Sequence, residues 1–140
     1  MVDDKLYDLF ISHAWLLSET YYRLEGLLKK ADAFHWRNYS VPIDDPVVDS
    51  GSSVGKARLT QLLMNQVKPV NCVIIIGDQH IANSEWVTTE IEIAQLYNKP
   101  ILGIYTRGQK HMPPLIKNAA HELVAWNTVS IVKAIKRISL

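Results

Sequence analysis

Cysteine is nearly missing from this chain: Cys72 is the only one among 140 residues. An intramolecular disulfide and a cysteine-built zinc site are both excluded. A surplus of either charge is also lacking, since 15 lysines and arginines face 14 aspartates and glutamates. A polybasic surface for nucleic acid or an anionic membrane needs an excess that is not there. No apolar run approaches the ~20 residues of a membrane span. The first residues, Met1-Val2-Asp3-Asp4-Lys5, lack the apolar core of a signal peptide. What is present is an average globular balance, 48% hydrophobic and 21% charged. The expectation is one soluble, cytoplasmic domain spanning residues 1–140, with no nucleic-acid or membrane partner.

Along the chain, two periodicities alternate. Leu6 to Ser12 is a short apolar run suited to a buried strand. Tyr21, Leu24, Leu28 and Ala31 then recur at three- and four-residue steps, predicting a helix from Glu19 to Asp32 after an N-cap at Ser18. Phe34 to Tyr39 reads as a second strand, followed by a loop through Pro42, Pro46 and Asp49-Ser50-Gly51-Ser52-Ser53. A helix over Val54 to Val67 precedes Val70 to Ile76, the most hydrophobic segment, which predicts a central strand buried on both faces. A further helix opens at Asn83-Ser84 and runs to Tyr97, and Pro100 to Tyr105 is a fourth strand. Arg107 to Pro114 reads as an exposed loop, Glu122 to Trp126 as a short fifth strand, and Thr128 to Ile138 as a closing helix.

Such alternation within one domain predicts a parallel sheet of four to five strands with helices on both faces, a flavodoxin-like α/β fold. Sites in these sheets lie outside the carboxyl ends of the strands. Those ends are Ile11-Ser12-His13, Tyr39-Ser40-Val41, Ile76-Gly77-Asp78 and Tyr105-Thr106-Arg107.

Three familiar sites do not fit. The stretch Gly51-Ser52-Ser53-Val54-Gly55-Lys56-Ala57 has three residues between its glycines and Ala after the Lys. A phosphate-binding loop needs four residues there, then Ser or Thr. The histidines, His13, His35, His80, His111 and His121, show no ligand spacing on a helix, so no metal site is expected. A phospho-accepting receiver needs an acidic pair after the first strand, where this chain has Ser12-His13.

Glu90 breaks the pattern. On a helix turning about 100° per residue, it falls inside an apolar arc with Ile93, Trp86, Tyr97, Ala94, Val87 and Ile91. Glu85, Thr88, Thr89, Glu92 and Gln95 take the other side. An unpaired carboxylate in such an arc would cost several kcal/mol or remain protonated. A salt bridge or hydrogen bond at the core edge is one reading. A functional acid in a cleft, with Trp86 as a wall, is the other.

Phe10-Ile11-Ser12-His13 and Ser84-Glu85-Trp86-Val87-Thr88-Thr89-Glu90 resemble the two best-marked regions of TIR domains. The second fits S-x-W-x-x-x-E, with Val87 where many members carry Cys. Phe34 to Pro42, together with Trp126-Asn127, resembles the TIR-like branch that includes the sensor proteins of Thoeris anti-phage defence. His13-Ala14-Trp15 departs from members that carry Arg or Tyr there.

The resemblance implies cleavage of NAD at the nicotinamide–ribose bond, with NAD as substrate and no cofactor. Glu90 would be the catalytic carboxylate, stabilising the developing oxocarbenium ion. Phe10, His13, Trp15, Asn38, Ser40 and Trp86 would line the substrate pocket. The product would be a nucleotide signal, such as a cyclic ADP-ribose isomer, that activates a separate effector. Val41 to Ser53 would stand in the place of the BB loop, which mediates self-association with other TIR-like subunits. The alternative that the resemblance leaves open is a non-catalytic interaction module that assembles through that loop.

Overall fold

The computed structural model describes residues 5–12, 19–40, 53–77 and 85–139. Among the described residues, five strands alternate with five helices: β1 Leu6–Ile11, α1 Glu19–Lys29, β2 His35–Asn38, α2 Ser53–Val67 and β3 Cys72–Ile76 come first. They are followed by α3 Glu85–Leu96, β4 Ile101–Ile104, α4 Pro114–Ala119, β5 Glu122–Val124 and α5 Thr128–Ile138. The strands form one sheet in the order β2-β1-β3-β4-β5, every pair parallel. This is the doubly wound α/β architecture expected from the alternation, with the order reversing between β1 and β3.

Side-chain alternation divides the core into two halves. Leu9, Ile11, Cys72, Ile74, Leu102 and Ile104 point to one face, where α1 covers them with Tyr21, Leu24 and Leu28, and α5 with Ile131, Ala134 and Ile135. Phe10, Val73, Ile75 and Ile101 point to the other, against Leu63 and Val67 of α2, Val87, Ile91 and Ala94 of α3, and Ile116 of α4. All five residues of β3 are buried, as its continuous apolar run requires. The edge strand β2 is mostly exposed and is tied to β1 by a forked pair. Arg37 Nε and Nη2 donate to Asp8 Oδ1 and Oδ2 at 2.6 and 2.9 Å.

Two sequence expectations need correction. The segment after Arg107 is not an exposed loop throughout: Met112 is buried, and α4 follows at Pro114, where no helix was expected. Proline reads as loop punctuation, yet at the first helical position its missing N–H is no loss and its φ is already helical. Helix α1 also stops at Lys29 rather than Asp32, and Ala33 takes a left-handed φ of 53° on the way to β2.

Candidate active site

Strand β1 supplies the centre of the site. Phe10 and Ser12 are two residues apart, so both side chains leave the sheet on the α2–α3 face. Ser12 is held by the sheet itself, its N–H donating to Ile74 O at 3.0 Å just past the last strand residue. Helix α3 brings Glu90 to the same place, because Val87, Glu90, Ile91 and Ala94 form its buried stripe at helical spacing.

There the two polar residues meet. Ser12 Oγ donates to Glu90 Oε1 at 2.6 Å, and both residues are 0% exposed. That distance falls in the range of hydroxyl–carboxylate bonds strengthened by charge. The inward Glu90 expected from the helical arc is therefore in place, and its carboxylate is met by a hydroxyl. Ser12 was not among the expected site residues. The signal for it was present, since it shares a face with Phe10, but its partner is 78 positions away in the chain.

Phe10 is wholly buried on this face, packed in the apolar cluster that includes Val73, Ile75 and Val87. Asn38 and Ser40 lie at the end of β2 and close the corner between β2, β1 and α1. Asn38 Nδ2 donates to Tyr21 Oη at 2.8 Å and to Glu25 Oε2 at 3.0 Å. Its Oδ1 accepts from Ser40 N at 2.9 Å, and Ser40 Oγ accepts from Ile11 N at 3.2 Å. The structure so brings Ser40 to the residue preceding Ser12, while the Asn38 side chain is engaged at both its ends. His13, Trp15 and the Trp86 side chain lie outside the described residues, as do residues 41–52 of the expected BB-type loop.

Cys72 sits in the core between β1 and β4. Burial pushes its thiol up to about 12, and its Sγ donates to Val73 O at 3.7 Å. A thiol so held is not a nucleophile near neutral pH. Among the described residues, no three His, Cys, Asp or Glu side chains are grouped to hold a metal ion, and no helix is long and apolar enough to cross a membrane.

Comparison with known proteins bears on this arrangement at two levels. The fold is similar to a Clostridium botulinum CMP N-glycosidase, BcmB, with a TM-score of 0.56 and 14% identity, covering 93% of this chain and 98% of that one. It is equally similar to a conserved protein from Enterococcus faecalis V583, with a TM-score of 0.55 and 14% identity, covering 95% and 99%. No curated protein matches the chain. At the level of sequence, the family described as Thoeris protein ThsB, TIR-like domain, matches residues 10–111, a span that contains both Ser12 and Glu90. With the larger part of its length matched, and the parallel sheet in place, the chain belongs to the family of the Thoeris ThsB TIR-like domain.

Proposed function

We propose that this protein cleaves the N-glycosidic bond between nicotinamide and ribose in NAD and so makes a nucleotide signal, of the cyclic ADP-ribose kind, for a separate effector. The observation that carries the reading is the buried carboxylate of Glu90, held by Ser12 at the carboxyl end of β1. This lies beside the point where strand order reverses, the usual place for a ligand in such sheets.

The chemistry asks little beyond that carboxylate. Nicotinamide leaves NAD as a neutral molecule, taking the electron pair of the broken bond, so no acid is needed to protonate it. Positive charge is left on the ribose, and a preoriented anion beside it lowers the barrier. Water or a hydroxyl or ring nitrogen of the same nucleotide then adds at that carbon and loses a proton. The CMP N-glycosidase that shares the fold is named for cleaving the same class of bond, which supports the bond class rather than the substrate.

The test is incubation of the purified protein with NAD, and separately with CMP, with products followed by chromatography and mass spectrometry. Free nicotinamide is expected from wild type, and a loss of at least 100-fold in rate from Glu90→Gln, the order of effect seen when a key electrostatic stabiliser is removed. Cleavage that persists at the wild-type rate in folded Glu90→Gln would sink the assignment. Cleavage of CMP and not NAD would keep the bond class and change the substrate.

A further inference from the structure

On the α1–α5 side of the sheet lies a groove of about 450 Å³, lined among the described residues by Thr20, Arg23, Thr106, Arg107 and Trp126. Thr20 and Arg23 come from α1, Thr106 and Arg107 follow β4, and Trp126 follows β5. The Glu90 carboxylate belongs to α3, which covers the other face. The volume is that of a small-molecule site.

The charged side chains among its described lining residues are all cationic. Two guanidiniums, two hydroxyls and an indole contribute, and no acidic side chain lines it among the described residues. A shallower depression shares Thr106, Arg107 and Trp126 and adds Lys110. A chain of net charge +1 thus gathers two guanidiniums in one concavity and a lysine in its neighbour, where low-dielectric walls strengthen their field.

The groove is also built rigidly. Gln109 Oε1 accepts from Thr106 N at 2.8 Å and its Nε2 donates to His111 O at 2.8 Å, which pins the loop that carries Arg107. Gly108 turns that loop with a φ of +81°, a conformation glycine adopts without strain. Trp126 immediately precedes Asn127, the capped start of α5. A preformed site loses less free energy on binding than one that must be ordered.

We propose that this groove binds a 5′-phosphorylated nucleoside, its phosphate between Arg23 and Arg107 and its base against Trp126. Guanidinium forks match phosphate oxygens, and an indole face accepts any base by stacking. The site is separate from the Ser12–Glu90 pair and does not rest on the cleavage reading.

Isothermal titration of the whole chain with AMP, adenosine and inorganic phosphate tests this. AMP should bind saturably and more tightly than adenosine. Arg107→Ala, a change at an exposed position, should weaken AMP about tenfold or more. Trp126→Leu should weaken AMP while leaving inorganic phosphate unaffected; if that variant melts early, Arg107→Ala decides alone. Glu90→Gln should retain wild-type affinity for AMP whatever it does to NAD cleavage. The proposal is overturned if wild type shows no saturable AMP binding, if Arg107→Ala binds AMP as wild type does, or if Glu90→Gln abolishes binding.

Discussion

A hydroxyl 2.6 Å from a buried carboxylate does two things for Glu90. It offsets part of the cost of taking the acid out of water, and it fixes which way the carboxylate points. Ser12→Ala removes the donor and leaves the acid buried. We expect a loss of about 1–3 kcal/mol in unfolding free energy, measured by urea denaturation. A change below about 0.5 kcal/mol, the usual scatter of surface substitutions, would mean that the bond contributes nothing. Cys72 gives a second residue-scale expectation, through pH. Its thiol, ordinarily near 9, is raised to about 12 by burial in the native state. Between those values the unfolded chain releases the proton and the native state keeps it, so stability is intact below pH ~9 and falls as pH rises. The slope is about 1.4 kcal/mol per pH unit. Cys72→Ala lacks this contribution, so the gap between wild type and variant should narrow by about 2 kcal/mol from pH 8 to pH 10.5. A gap that stays constant in chemical denaturation across that range would show that the thiol does not titrate differently on unfolding.

At the scale of elements, local chemistry accounts for most boundaries. Asn127 caps α5, its side chain accepting from Ser130 N at 3.0 Å, and Lys136 and Arg137 sit in the last turn where cations are favoured. Asn127→Ala should cost about 1 kcal/mol in thermal or urea unfolding; no measurable loss would show that tertiary packing alone holds the helix start. The same kind of signal made the strands legible, because Val70 to Ile76 is apolar throughout and Leu6 to Ser12 nearly so. Helix α4 was not legible. Six residues that begin on the second proline of a Pro-Pro pair carry too little periodicity to show a helix, and what stabilises it is burial of Ile116 against the sheet. Ends of elements were blurred for a related reason. The apolar spacing of α1 continues to Ala31, while the backbone has already left the helix at Lys29 to make the turn through Ala33.

Across the whole molecule, the parallel order places β1 and β3 at the centre and β2 and β5 at the edges. Every residue of β3 is buried, while β2 is largely exposed. Native-state hydrogen exchange should therefore be slowest for Cys72–Ile76 and much faster for His35–Asn38, followed by mass spectrometry of peptides. Equal protection of the two strands would contradict a core centred on β3. The same architecture explains what could be read of the site. One acid in an apolar helical arc singles out Glu90, because helical geometry is local and the anomaly lies within one element. Its partner Ser12 could not be read that way, since only the β1–β3 pairing and the docking of α3 bring the two together. The groove of Arg23, Arg107 and Trp126 is less legible still, being assembled from three separate segments.

Periodicity, turn residues and the scarcity of cysteine and charge excess determine, from the sequence alone, a parallel α/β domain with a misplaced acid. Which residues that acid meets, and where positive charge collects, are decided only by tertiary structure. The physical reason is range: backbone preferences and side-chain spacing act over a few residues, whereas hydrogen bonds and fields act across space between segments that folding alone makes neighbours.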